Sequence, residues 1–160
     1  MTGVQTCALP ISRVFAQTQT FEPVRPNPNG PGNLKVTVPD SVQVLTQYAN
    51  GARGIYHFSG TTLLGPGKQI VLYGSLGTIK ILFGEHDRIY YGRTLDKEFR
   101  EIQIPAEKMG GWRVEAEFIG AIRGEEAVKR NDFATGLKYM EFTDAVVRSA
   151  QTDSPVMLSQ

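Results

Sequence analysis

Two histidines and one cysteine are the side chains of this sequence with the widest range of catalytic and metal-binding chemistry. A zinc site would need further His, Cys or carboxylate ligands at defined spacings. Neither His57 nor His86 stands at such a spacing. His86, within GEHDR, is predicted to be an exposed turn residue. His57 follows a strand pattern and is left open, either as a half-buried sheet residue or as a substrate contact.

Gly65-Pro66-Gly67 begins like the G-x-G-x-x-G fingerprint of dinucleotide-binding proteins. That fingerprint leads from a strand into a helix, whose N-terminus binds the pyrophosphate. Position 70 is isoleucine, and a strand pattern follows it. We therefore predict a turn at these glycines.

Charge and hydropathy exclude two classes of partner. The chain has 17 Lys+Arg and 16 Asp+Glu, so it has no basic excess to neutralise phosphates. It also has no apolar run near the roughly 20 residues that span a bilayer. We expect a globular domain with a cytoplasmic location, without nucleic-acid or membrane partners.

The first twelve residues, MTGVQTCALPIS, do not resemble a folding segment. They also lack the basic start and long apolar core of a signal peptide. Met1–Ile11 instead resembles the translation of a short-read sequencing adapter. We expect residues 1–12 to be disordered, residues 13–160 to form one domain, and the natural protein to begin further upstream. Cys7 then lies outside the domain, which excludes disulfides and cysteine chemistry.

Short β-branched and aromatic runs separated by Gly, Pro and Asn predict antiparallel strands. RVFAQTQTF, KQIVLYGSLGTIKILFG, DRIYYGR and FREIQIP follow this pattern. So does SVQVLTQYANGARGIYHFSG, where Asn50-Gly51 predicts a two-residue hairpin turn. That turn would place Leu45 opposite Tyr56 and Val44 opposite His57. We expect about six or seven strands.

The remaining segments predict a loop and two helices. EPVRPNPNGPGN is rich in proline and is expected to be an extended loop outside any ladder. WRVEAEFIGAIRG predicts a helix that ends at Gly124. NDFATGLKYMEFTDAVVRSAQ predicts a longer helix capped by Asn131 or Asp132, and SPVMLS a short final strand. The fold class is α+β, a mostly antiparallel open sheet with helices packed on one face.

Three segments, taken in order, carry a resemblance to a known family: VPDSVQVLTQYANGARGIYHFSG, IVLYGSLGTIKI and DFATGLKYMEFTDAVVRSAQTDSPVML. From about Arg13 onward the chain resembles the C-terminal domain of the glucose-fructose oxidoreductase, inositol dehydrogenase and rhizopine catabolism protein family. Its members are NAD(P)-dependent oxidoreductases of sugars, polyols and related compounds. The resemblance implies a missing N-terminal Rossmann domain that binds NAD or NADP and bears a catalytic Glu-Lys-Pro motif. Glu107-Lys108 is followed by Met109 and does not match that motif.

The resemblance also implies what this part of the protein contributes. It would form a wall of the sugar pocket, with Gln17, Gln19, Arg25 and His57 as candidate substrate-binding residues, and pair subunits into a homo-oligomer through the open sheet face. Without the cofactor domain, the chain alone is expected to be inactive. The alternative is a standalone, non-catalytic sheet module that binds a ligand or oligomerises.

Overall fold

The computed structural model describes residues 11–128 and 132–158. Among these residues, ten strands form three antiparallel sheets, accompanied by two α-helices and one 3-10 helix at Ala106–Lys108. The strands are β1 (Ile11–Gln19), β2 (Val24–Pro26), β3 (Asn33–Lys35), β4 (Ser41–Tyr48), β5 (Arg53–Ser59), β6 (Gln69–Gly74), β7 (Gly77–Leu82), β8 (Arg88–Arg93), β9 (Arg100–Glu101) and β10 (Val156–Met157), and the helices are α1 (Val114–Ile122) and α2 (Phe133–Thr152). The predicted α+β class with open antiparallel sheets is confirmed. Strands β2, β3 and β10 bring the total above the six or seven expected.

The chain divides into two compact units. One contains the residues up to Thr61 and those from Trp112 onward, and the other is Thr62–Gly111. The first unit holds the sheet with strand order β10-β1-β4-β5, and the second holds the sheet with order β6-β7-β8-β9.

The core of the first unit lies between its sheet and α2. Strand alternation places Val14, Ala16 and Val44 on one face, where they are buried together with Ala145 of the helix. Phe142 and Val146 of α2 pack beside this cluster. The start of the same helix lies outside the core, since Phe133 is 98% exposed. The apolar helix face predicted from the sequence is therefore only partly buried.

The buried Ser149 hydroxyl connects helix α2 to strand β1. Its Oγ accepts a hydrogen bond from the Ala16 N–H at 2.9 Å and donates to the Ser154 carbonyl at 2.8 Å. The last β1–β10 pair is Val14 opposite Val156, so Ala16 lies beyond the end of β10. The serine thus occupies a position on the sheet edge that no strand fills.

The predicted register of the β4–β5 hairpin is wrong by one residue. Val44 lies opposite Tyr56, and Gln43 lies opposite His57. Tyr48 N–H donates to the Ala52 carbonyl at 2.9 Å, which leaves a three-residue loop. Its last residue, Gly51, has a φ of 86°, as in a type I turn followed by a bulge. Asn-Gly suits this longer loop as well as the two-residue turn that we predicted.

The proline-rich segment is also corrected by the structure. We expected it to stay outside any ladder, but β2 and β3 pair, with Pro26 opposite Asn33. This ladder has only two strands, so the missing proline N–H can face the open edge. We call residues 20–40, which include this hairpin, the arm.

The N-terminal boundary needs a smaller correction. Ile11 and Ser12, which we expected to be disordered, belong to β1. Ile11 pairs with Tyr48, and the Ser12 carbonyl accepts from Leu158 N–H at 3.0 Å. Ile11 also packs against the core, so its side chain favours the folded state. Residues 1–10, including Cys7, lie outside the described residues.

The helix ends follow their sequence signals. Asp132 caps α2 by accepting from Thr135 N–H at 2.7 Å, whereas the alternative cap, Asn131, lies outside the described residues. Gly124 follows α1 with a φ of 71°, as predicted for a helix C-terminus. The turn between β6 and β7 runs from Gly74 to Gly77. Gly77 is required there, because a Cβ would overlap the Gly92 carbonyl oxygen.

We predict that Ser149→Ala lowers the free energy of unfolding by about 1–3 kcal/mol, since it leaves the buried Ala16 N–H without an acceptor. Urea denaturation measures this change. Ser154→Ala is the control, because that hydroxyl lies in an exposed hydrogen bond to the Thr152 carbonyl. Equal and small effects for both variants would show that the Ser149 link is unimportant.

Candidate functional site

A surface groove of about 410 Å³ runs along the edge of β1 in the first unit. Its lining residues are Ala16, Gln17, Thr18, Gln19, Phe21, Gln43, Ala150 and Asp153. It opens where β10 has ended, so the end of β1 has no neighbouring strand on that side. The groove is therefore bounded by β1, by its neighbour β4 and by the C-terminal end of α2.

Amide side chains stand in register on the side of the groove away from the helix. Gln17 pairs with Gln43 across β1 and β4, and Gln43 pairs with His57 across β4 and β5. Directly paired residues point to the same face, and neighbouring strands lie about 4.8 Å apart. This row of three polar residues is exposed on the sheet face opposite the core.

The four predicted substrate residues do not share one pocket. Gln17 and Gln19 line the groove, whereas His57 lies in the same row two strands away. Arg25 lies on β2, where its Nη2 forms an ion pair with Asp40 Oδ2 at 3.4 Å. The structure thus brings together the two glutamines of β1 and gives Arg25 an acidic neighbour outside the groove lining.

Asp40 is the last residue of the arm, and its side chain is only 5% exposed. Its carboxylate accepts from the Phe21 and Glu22 N–H groups, each at 2.9 Å. The hydrogen bond from Phe21 lowers the pKa of the Asp40 carboxyl below its usual range. The Glu22 N–H and the Arg25 guanidinium lower this pKa further, while burial opposes them.

Six of the eight lining residues were not among the predicted site residues, including Phe21, Gln43 and Asp153. Gln43 had a usable signal, since it alternates with the core residues of β4, but its pairing with Gln17 depends on long-range register. Asp153 ends α2 in the left-handed region, with a φ of 47°. Asp tolerates this conformation better than most residues, so Asp153, followed by Pro155, is a sequence signal for the end of the helix.

The groove combines three kinds of chemistry. The glutamine carboxamides can both donate and accept hydrogen bonds, and the Asp153 carboxylate can accept them. The Phe21 ring offers a surface for apolar C–H groups. Such a set suits a neutral ligand with several hydroxyl groups. In the described residues there is no group of three His, Cys, Asp or Glu side chains that could hold a metal ion.

The residues that were compared with a dinucleotide fingerprint do not fit a cofactor phosphate. Gly65-Pro66-Gly67 is followed along the chain by strand β6, which contains Ile70, and not by a helix. The predicted strand is therefore confirmed, whereas the turn lies at Leu63-Leu64, just before these glycines. No helix in the described part of the chain is long and apolar enough to cross a membrane.

The family comparison identifies the segment that carries most of this groove. A model described as the GFO/IDH/MocA C-terminal domain matches residues 4–80. Over these residues, just under half of the chain, the sequence matches this family model. The predicted resemblance is therefore confirmed. A comparison with curated proteins finds no match.

Solved structures extend the likeness to nearly the whole chain. Levoglucosan dehydrogenase in complex with NADH and levoglucosan is 26% identical, with a TM-score of 0.72 over 94% of this chain and 45% of that one. An NAD binding oxidoreductase from Klebsiella pneumoniae is 22% identical, with a TM-score of 0.71 over 94% and 46% of the two chains. The WlbA dehydrogenase from Bordetella pertussis, in complex with NADH and UDP-GlcNAcA, is 18% identical, with a TM-score of 0.62 over 94% and 40%.

These likenesses establish the fold and its extent. The chain spans less than half the length of each of these three structures.

We predict that Asp153→Gly keeps the free energy of unfolding within about 1 kcal/mol of the original, because glycine adopts positive φ without steric strain but loses more chain entropy. Asp153→Ala should be less stable than Asp153→Gly, because alanine adopts positive φ only with steric strain. Urea denaturation of the two variants tests this order. An alanine variant as stable as the glycine variant would contradict the left-handed helix end.

Proposed function

We propose that this chain is the substrate-side domain of a cytoplasmic NAD(P)-dependent oxidoreductase that acts on a sugar, a polyol or a related hydroxy compound. The observation that carries the proposal is the groove at the free edge of β1. Its glutamines and Asp153 offer hydrogen-bond partners for several hydroxyl groups, and Phe21 offers an apolar surface for the ring. A site built around such groups rejects ligands that leave them unpaired.

In this proposal the residues of the groove bind and orient the substrate. The amides of Gln17, Gln19 and Gln43 donate to and accept from hydroxyls, and the Asp153 carboxylate accepts from neighbouring hydroxyls. A bound nicotinamide cofactor would supply the hydride acceptor for the hydroxyl-bearing carbon, and the hydroxyl proton would leave to a base outside this groove. The cofactor domain is assigned to a part of the protein outside this sequence, so the choice between NAD and NADP is made there.

The relatives support this assignment by what they contain. One levoglucosan dehydrogenase structure holds NADH with levoglucosan, and another holds NADH with L-sorbose. Both ligands carry several hydroxyl groups on a small carbon skeleton. The same kind of ligand matches the polar lining of the groove.

We expect the 160-residue chain to bind levoglucosan weakly and to show no NADH oxidation or NAD⁺ reduction with it. Gln43→Leu should weaken binding about three- to tenfold, the loss of one neutral hydrogen bond. Ligand-observed NMR titration measures the affinity, and absorbance of NADH reports turnover.

Gln47→Leu is the matched control for this prediction. Gln47 lies on the same strand and the same face as Gln43 but outside the groove. The two variants should therefore differ. An equal loss of affinity, or catalytic turnover by the chain alone, would contradict the proposal.

We further propose that the protein is a homo-oligomer paired through an open sheet face, and the sheet of the second unit suits this role best. No described side chain between Thr62 and Gly111 is buried. One face of β6, β7 and β8 is formed by apolar residues in two rows: Ile70, Ile81 and Ile89, and Leu72, Ile79 and Tyr91. A sheet is stable only when one face is covered, and a second copy presents the same two rows. Arg93 and Arg100 lie at the margin of this face, outside the two rows.

We predict that Ile79→Lys shifts the protein toward monomer and weakens self-association at least tenfold, or about 1.4 kcal/mol, because the symmetric contact would bury a lysine. Thr78→Lys is the control, since Thr78 is the preceding residue of β7 and points to the opposite face. Sedimentation equilibrium compares the two variants. A monomeric original protein, or equal effects of the two lysines, would overturn this choice of face.

A further inference from the structure

We propose that Asp40 is a positioning residue of the sugar groove: it fixes the end of β1 and the root of the arm so that Gln19 and Phe21 line the groove together. The inference rests on the proposed function, because it takes the groove as the sugar site. Asp40 does not itself line the groove.

The sheet alone does not hold this part of the groove. The last pair between β1 and β4 is Gln19 opposite Ser41, so Phe21 lies beyond the ladder. The arm contains only the two-stranded β2–β3 ladder, and an isolated ladder of this size is marginally stable in water. Phe21 therefore needs another contact to keep a fixed position.

Asp40 supplies contacts to each neighbouring segment. Its N–H donates to the Gln19 carbonyl at 3.1 Å, and its own carbonyl accepts from Gly60 N–H at 2.8 Å. Its carboxylate oxygens accept from Phe21 N–H and Glu22 N–H. The residue thus links the end of β1, the start of the arm and the end of β5.

The charge of the carboxylate matters as well as its shape. Both oxygens accept hydrogen bonds, and Arg25 of β2 adds a third donor. An asparagine at this position has one oxygen and one NH₂ group, so the NH₂ would face a donor. Charge-assisted hydrogen bonds are also stronger than neutral ones. Asp40→Asn therefore loosens the root of the arm while keeping the size of the side chain.

The test uses the ¹⁵N-labelled full chain and its Asp40→Asn variant. We expect faster amide hydrogen exchange at Phe21 and Glu22 in the variant, with no change at Val44 in the core. We also expect the levoglucosan dissociation constant to rise about tenfold. Unchanged exchange at Phe21 and Glu22 would overturn the inference, as would unchanged affinity for levoglucosan despite faster exchange.

Asp96→Asn is the matched control. Asp96 makes the same kind of contacts, accepting from Arg93 N–H at 2.9 Å and from Arg100 Nη2 at 3.3 Å, but it lies in the second unit. We expect this variant to leave both the groove amides and the affinity unchanged. A similar loss of affinity in Asp96→Asn would show a general stability effect and would overturn the positioning role.

Two further readouts keep the inference separate from folding and from the proposed function. If Asp40→Asn does not fold, a pH titration of the original protein replaces it. The amide chemical shifts of Phe21 and Glu22 should then change together at a pH below the ordinary range of an Asp pKa. Amide shifts that do not change with the Asp40 carboxylate would overturn the inference. If the original protein binds no levoglucosan, the proposed sugar site fails. In that case the hydrogen exchange at Phe21 and Glu22 still tests whether Asp40 fixes the start of the arm.

Discussion

The hydrogen bond from the Ala16 N–H to the Ser149 hydroxyl is the contact on which the architecture of the first unit depends. Strand β10 pairs with only two residues of β1, so the sheet edge beyond Val14 needs another partner. Ser149 provides it from the helix and passes the hydrogen bond on to the Ser154 carbonyl. Because the Ser149 side chain takes the place of a strand only at Ala16, the backbone edge of β1 has a partner there and stays accessible at residues 17–19. The groove exists because β10 is short.

The same contact explains how the helix end and the groove are coupled. The Ser149 carbonyl accepts from the N–H groups of Asp153 and Ser154, which end α2 with a left-handed residue. This ending turns the chain back toward β10 and leaves Asp153 at the margin of the groove. Ser149 therefore contributes to both features, since its hydroxyl joins the helix to β1 and its carbonyl accepts the hydrogen bonds that end the helix at Asp153. Small buried polar groups have such wide effects because leaving them unpaired costs about 1–3 kcal/mol.

Local signals allowed much of the fold to be predicted, but the site needed long-range information. Alternation identified β1, β4 and β5, and cap chemistry identified Asp132 and Gly124, since these depend on neighbours in sequence. The register between β4 and β5 was missed because Asn50-Gly51 is compatible with two loop lengths. Asp40, Phe21 and Asp153 meet near one strand edge from three separate segments, and nothing local to any of them signals this. Gln17 and Gln19 could be grouped from the sequence because they share one face of one strand.

The composition of the groove also fits the proposal that this domain binds the substrate while another domain binds the cofactor. Its polar lining is mostly neutral amide, with Asp153 as its one charged member, which suits the hydroxyl-bearing ligand proposed above. Hydride transfer depends on a cofactor that the protein must hold and orient beside the substrate, and the proposed function assigns that task to another domain. Arg25, the one cation among the predicted site residues, lies outside the lining in an ion pair with Asp40. The lining therefore contains no positive charge.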